Sequence, residues 1–226
     1  MGAKISGAGS DFIEIQGVDK LDKVEHTVIP DRIAIGTYMI ASAITGGCLE
    51  VDKIIRPHME PINKTLIKAG CEIEYTKEGL IITSPKKIQA INFLKTDIHP
   101  NFPTDMQAQM MSLMTLSEGD NVFYETIFEN RFMHCSELNK MGANTETLSS
   151  HLCRVSGVDK LYGAKTTSPD LRGGAALVLA ALAAEGESEI SDIYHVERGY
   201  ENIEGILNSL GARSEERRVG KECRSR

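Results

Sequence analysis

The 226-residue chain lacks any apolar run approaching the roughly 18 residues that a membrane-spanning helix requires, so no membrane association is expected. Its opening, Met1-Gly2-Ala3-Lys4-Ile5-Ser6, has no charged segment leading into an apolar one, so no secretory signal is read and cytoplasmic residence is the expectation. Cysteine is sparse: Cys48, Cys71, Cys135, Cys153 and Cys223 make an odd number without a Cys-x-x-Cys pair, which argues against a disulfide framework and a structural zinc site. The thiols are expected to be reduced. Positive charge is also in short supply, with Lys+Arg 25 against Asp+Glu 32 and a net charge of −7, so a nonspecific nucleic-acid binder is disfavoured. No two histidines stand at i, i+4, and no G-x-x-x-x-G-K-[ST] loop occurs, so neither a metal nor a cofactor is expected.

What the sequence does contain is a repeat. A helical phrase ending in a small pair recurs at Ala69-Gly70-Cys71, Met141-Gly142-Ala143 and Leu210-Gly211-Ala212, with Gly2-Ala3 as a truncated copy; the glycines are 68, 72 and 69 residues apart. Glycine suits a helix C-terminus because the left-handed conformation there costs it nothing. A second phrase, Pro30-Asp31-Arg32, Pro103-Thr104-Asp105 and Pro169-Asp170-Leu171-Arg172, opens three helices that close at Gly46-Gly47, Gly119 and Gly186. β-rich stretches follow over 48–55, 121–128 and 188–196, then the helix ending in the Gly-Ala phrase. Alternation in Cys71-Glu72-Ile73-Glu74-Tyr75 and then Gly79-Leu80-Ile81-Ile82 predicts a hairpin. The unit reads as strand, helix, strand, helix, hairpin. Amphipathic helices that cannot bury their apolar faces alone are expected to pack three such units around a common centre.

The repeat implies a chain cut inside a unit at Met1, with residues 30–212 as one domain of three repeats. The last stretch, 213–226, holds six basic and three acidic residues and breaks the pattern, so a disordered, non-native tail is expected there.

Outside that tail stand only six arginines, Arg32, Arg56, Arg131, Arg154, Arg172 and Arg198. Five fall at or just before expected helix starts, where the macrodipole disfavours a cation. An anion shared between guanidinium and first-turn N–H groups would offset this; pairing with adjacent acids such as Asp31, Asp170 or Glu197 is the alternative. Asp105 falls in a first helical turn, where its carboxylate either accepts a proton from a substrate hydroxyl or simply stabilises its helix. Asp31 and Asp170 occupy the same repeat position. Met106, Met110, Met111 and Met114 read as a core stripe, and His99 as a hydrogen-bonding residue near the proposed site.

The strings His99-Pro100-Asn101-Phe102-Pro103-Thr104-Asp105-Met106-Gln107-Ala108-Gln109 and Glu125-Thr126-Ile127-Phe128-Glu129-Asn130-Arg131-Phe132-Met133-His134 closely resemble the UDP-N-acetylglucosamine enolpyruvyl transferase family. Thr167-Ser168-Pro169-Asp170-Leu171-Arg172 and Tyr194-His195-Val196-Glu197-Arg198-Gly199-Tyr200-Glu201 do so as well. The resemblance runs from about Met1 to Ala212 and corresponds to the C-terminal half of a member. It implies an α/β (α+β) architecture, the inside-out α/β barrel or prism, with helices inside and sheets outside. Residues 1–29 would then be a hairpin remnant of the other barrel.

The activity implied is transfer of enolpyruvyl from phosphoenolpyruvate to the 3-hydroxyl of UDP-N-acetylglucosamine with release of phosphate. This is the first committed step of peptidoglycan synthesis, on which cell-wall biogenesis, cell shape and the division cycle depend. By motif position Asp105 resembles the general base and Ile127 a uridine-nucleotide contact through its backbone. Arg131, Arg172 and Arg198 resemble cationic ligands of phosphoenolpyruvate or the intermediate, with Asp170 in the same site. In this family a cysteine acid on a mobile loop and a Lys-Asn pair belong to the N-terminal half, the missing partner, so this chain alone is expected to be inactive. An enolpyruvylshikimate phosphate synthase-like enzyme and a noncatalytic nucleotide-sugar or anion-binding domain are the alternatives.

Overall fold

The computed structural model describes residues 1–214; most of the segment expected to form a disordered tail, from 215 onward, lies outside the described residues. The chain starts as an antiparallel hairpin of β1 (Lys4–Ser6) and β2 (Glu14–Gln16), and every residue from 1 to 29 is exposed. A first unit follows: α1 (Arg32–Ile44), β3 (Cys48–Val51), α2 (Arg56–Lys68) and the expected hairpin of β4 (Glu72–Tyr75) and β5 (Leu80–Thr83). The second holds β6 (Ile88–Gln89), β7 (Phe93–Lys95), a 3-10 turn (Thr104–Met106), α3 (Gln107–Met114), β8 (Ser117–Glu118), β9 (Asp120–Tyr124), α4 (His134–Lys140), β10 (Asn144–Ser149) and β11 (Leu152–Ser156). The third has β12 (Lys165–Thr167), α5 (Leu171–Ala183), β13 (Glu189–Ser191), the one-turn α6 (Tyr194–Glu197) and α7 (Ile203–Ser209).

The repeat is visible in the backbone. Gly2, Gly70, Gly142 and Gly211, which the recurring phrase marks as helix ends, have φ of 84°, 95°, 88° and 100°. Each is in the left-handed region that a side chain disfavours. In the second and third units the strand before the central helix pairs in parallel with the strand after it, β7 with β9 and β12 with β13, as a crossover connection demands. The first unit departs from the expected pattern: no strand forms over 17–31, and β3 pairs only with β5. The stretch over 188–196 is also shorter in strand than expected, because a helix begins at Tyr194.

Helices α1, α3 and α5 pack against one another at the centre. All eight residues of α3 are buried, and Met106, Met110, Met111 and Met114 are completely so. Removing each such side chain from water contributes roughly 1.5–3 kcal/mol. The three helices run in the same direction. Gln109 meets Thr37 on α1, while Asp105 meets Arg172 and Ser112 Oγ donates to the Ala176 carbonyl on α5. Their N-termini therefore share one end of the bundle. Separate sheets lie outside, ordered β3-β5-β4 and β10-β11-β9-β7 with the pair β12-β13, and no sheet closes on itself among the described residues.

Candidate functional site

The acids near the starts of the three central helices are put to different uses. Asp31 caps α1, accepting from the Ile33 and Ala34 N–H groups, and Asp170 caps α5, accepting from Arg172 and Gly173. Both therefore do what a first-turn acid ordinarily does. Asp105 caps nothing. Its Oδ1 accepts from Arg131 Nη2 at 2.9 Å and its Oδ2 from Arg172 Nη2 at 3.2 Å, so one carboxylate is shared by guanidiniums from two different units. The arginine side chains are 18% and 17% exposed, whereas Asp105 is 42% exposed and opens outward.

Several buried groups hold this triad. Burial works against the Arg172 charge, but the Asp105 carboxylate and Tyr200 more than restore it, raising its pKa above the usual value. Tyr200 is itself buried, and its hydroxyl lies 3.5 Å from Arg172 Nη1, 2.9 Å from Thr37 Oγ1 and 3.2 Å from Gln109 Nε2. That knot ties α1, α3 and the third unit together directly below the carboxylate, and Gln109 Nε2 also donates to the Asp105 carbonyl at 2.8 Å. Arg131 stacks over the Phe128 ring at 4.8 Å.

The loop that carries Arg131 is fixed by Glu125, a completely buried glutamate. Its Oε1 accepts from the Ile127 and Phe128 N–H groups at 2.8 and 3.2 Å, and its Oε2 from Thr104 Oγ1 at 2.8 Å, one residue before Asp105. The Ile127 N–H is thus occupied, and only its carbonyl can serve a ligand. His134, at the start of α4, is also buried; burial pushes its pKa down to about 4, Asp170 opposes this and the Arg131 charge adds to it. Its Nε2 has no hydrogen-bond partner.

Arg198 differs in placement from the arginines expected at helix starts. It sits at the C-cap of α6, where a cation suits the dipole, rather than at a helix start, and its side chain makes no ion pair or hydrogen bond among the described residues. Arg154 lies in β11 paired with Glu146, and Arg56 stacks on Tyr75, both away from Asp105. Arg32 contacts His99 Nδ1 at 3.2 Å at the start of α1 rather than pairing with Asp31. Sequence reasoning missed Glu125, Tyr200 and His134 as positioning groups.

The model of the family described as EPSP synthase (3-phosphoshikimate 1-carboxyvinyltransferase) matches residues 1–207. The chain belongs to this carboxyvinyl transferase family. Among its relatives is a UDP-N-acetylglucosamine 1-carboxyvinyltransferase 1 of Caldanaerobacter subterraneus, 51% identical over 94% of this chain and 51% of that protein. The UDP-N-acetylglucosamine 1-carboxyvinyltransferase of Myxococcus xanthus is 47% identical over 94% of this chain and 50% of that protein. The chain thus spans about half the length of the curated relatives it matches. Among solved structures, the enolpyruvyl transferase NikO from Streptomyces tendae superposes with a TM-score of 0.81 at 26% identity, over 94% of this chain and 51% of that one. EPSP synthase from Acinetobacter baumannii shares the fold, with a TM-score of 0.57 at 18% identity over 78% of this chain and 44% of that one. The chain thus has the mixed α/β fold of this family that the resemblance implied, with helices inside and open sheets outside and no closed barrel among the described residues.

Among the described residues no group of three or more His, Cys, Asp or Glu is placed to hold a metal ion, and no helix is long and apolar enough to cross a membrane.

Proposed function

We propose that this chain supplies the C-terminal half of a cytoplasmic enzyme that transfers enolpyruvyl from phosphoenolpyruvate to the 3-hydroxyl of UDP-N-acetylglucosamine, releasing phosphate for peptidoglycan synthesis. The observation that carries the reading is Asp105, the first-turn acid that caps no helix and lies between Arg131 and Arg172. Residues 30–212 form one barrel in this reading, and the exposed hairpin over 1–29 belongs with the other half.

Two guanidiniums supply bidentate hydrogen bonds to a phosphate or carboxylate. Without a ligand, Asp105 offsets one of their two charges, so the pair keeps a net positive charge for an anion. When an anionic donor arrives, the guanidiniums turn their remaining N–H groups to it, and the exposed edge of Asp105 accepts the proton of the attacking sugar hydroxyl. Asp170 holds the N-terminus of α5 and so aims Arg172. Ile127 offers its backbone carbonyl to the uracil side of the nucleotide. Arg198, exposed beyond α6, reaches the phosphorylated donor only once the site closes. A site that shares its reactants between two halves cannot exclude water or hold both in register with one half alone.

A phosphate-release assay with both substrates tests this. The chain alone is expected to be silent, and the chain mixed with the separately produced N-terminal half of the Caldanaerobacter relative is expected to turn over. Turnover by the chain alone would overturn the missing-half argument. Preference for shikimate 3-phosphate over UDP-N-acetylglucosamine in the mixture would reassign the acceptor, and binding of the nucleotide sugar without product would make the domain a noncatalytic binder.

A further inference from the structure

Close to the Arg131 loop, two thiols face each other. Cys135 lies in the first turn of α4 and Cys153 in β11, with their Sγ atoms 3.6 Å apart and both residues buried. Their approach is set by the backbone on both sides: β10 pairs with β11, α4 packs on β10, and Thr145 Oγ1 donates to the Cys135 carbonyl at 3.3 Å. The other described cysteines supply the contrast. Cys48 is exposed on β3, and Cys71 is buried with no thiol beside it, its pKa pushed up to about 11 by burial.

We propose that Cys135 and Cys153 are a modification site, a dithiol that a hydroperoxide converts into an intramolecular disulfide. The sulfurs must close from 3.6 Å to the roughly 2.05 Å of an S–S bond. The pair is asymmetric in the direction this requires. Hydrogen bonding from Cys153, then from Thr145 and Thr147, lowers the Cys135 pKa against its burial, whereas the contact with Cys135 and burial raise that of Cys153. Cys135, in the first turn of α4 and the more accessible of the two thiols, is the sulfur that reacts first.

Its thiolate attacks one peroxide oxygen, the O–O bond breaks, and the alcohol (water, from hydrogen peroxide) departs, leaving a sulfenic acid on Cys135. The Cys153 sulfur then attacks that sulfenic sulfur. The S–O bond breaks, and the departing hydroxide takes the Cys153 proton as water. Two thiols are oxidised and one hydroperoxide is reduced. Cys135 is four residues beyond Arg131, so the cross-link ties down the segment that presents this guanidinium.

The test is treatment of the folded chain with hydrogen peroxide in a Cys48→Ser/Cys223→Ser background, followed by intact-mass and peptide mapping. The expected result is loss of two hydrogen masses, a linked peptide containing Cys135 and Cys153, reversal by dithiothreitol, and an unmodified Cys71. In a further Cys153→Ala variant, Cys135 is expected to stop at the sulfenic acid and to be trapped by dimedone. Both thiols staying free, or Cys71 oxidising as fast as Cys135, would overturn the proposal, the latter by showing that unfolding rather than proximity governs reaction.

Discussion

Lowering the pH from 7 to 4 should destabilise this chain through His134 in particular. The imidazole is buried against the α5 N-terminus, its Nε2 has no partner, and its folded pKa is depressed from 6.5 to about 4. In the unfolded chain it takes up a proton near 6.5, so between these values the unfolded state binds more protons than the folded one. The contribution is therefore complete above about pH 6.5 and is lost as the pH falls to about 4. At about 1.36 kcal/mol per pKa unit, the span corresponds to on the order of 3 kcal/mol. For a chain of this size that is a fall in melting temperature on the order of 10 °C. Thermal melts followed by far-ultraviolet circular dichroism at pH 7, 6, 5 and 4, on the parent and on His134→Met, isolate the effect. The variant loses the titrating group, and the difference between the two curves removes the common contribution of the carboxylates. Between pH 7 and pH 4 the parent is expected to lose on the order of 10 °C more than the variant. Parallel pH dependences in the two proteins would refute the reasoning.

Asp170→Ala removes the side-chain cap of α5 and should cost about 0.5–2 kcal/mol in urea unfolding. Asp105→Ala removes no cap but leaves Arg131 and Arg172 facing each other, so inorganic phosphate should raise its melting temperature more than the parent's. Glu125→Gln, which keeps an acceptor for both loop N–H groups and a donor for Thr104, should fold nearly as well as the parent, whereas Glu125→Ala should lose about 1–3 kcal/mol by leaving buried donors unmet. Gly46→Ala, with φ 76° and open space around it, should cost about 1–2 kcal/mol in chemical denaturation. Gly142→Ala should cost more, because its new Cβ would also stand 3.2 Å from the Tyr162 ring.

What the sequence discloses about this fold is local or periodic. The glycine phrase fixes three helix ends, at Gly70, Gly142 and Gly211, because a left-handed residue is a one-position requirement; Gly2 shares the conformation but no helix precedes it among the described residues. The alternation over 71–82 fixes a hairpin, and the methionine spacing fixes a buried helix. The site is less accessible, because its geometry depends on pairs far apart in sequence. Asp31 and Asp170 directly follow a proline and become N-caps, whereas Thr104 puts Asp105 one residue further along, inside the turn; only the packing of α3 beside α5 then gives it two guanidiniums. Glu125 defies the ordinary exposure of glutamate, and Tyr200 finds its partners 28, 91 and 163 residues away. Arg198 falls at the C-cap of α6, a single turn too short for periodicity to mark its end.

Replacing Asp105 with asparagine in the enzyme reassembled from this chain and an N-terminal half probes the base and the arginine pair together. Asparagine keeps the size and one acceptor but cannot take the hydroxyl proton. Phosphate release should fall by about 10²–10⁴-fold in kcat, with much smaller changes in either KM. Turnover equal to the parent's would contradict the account.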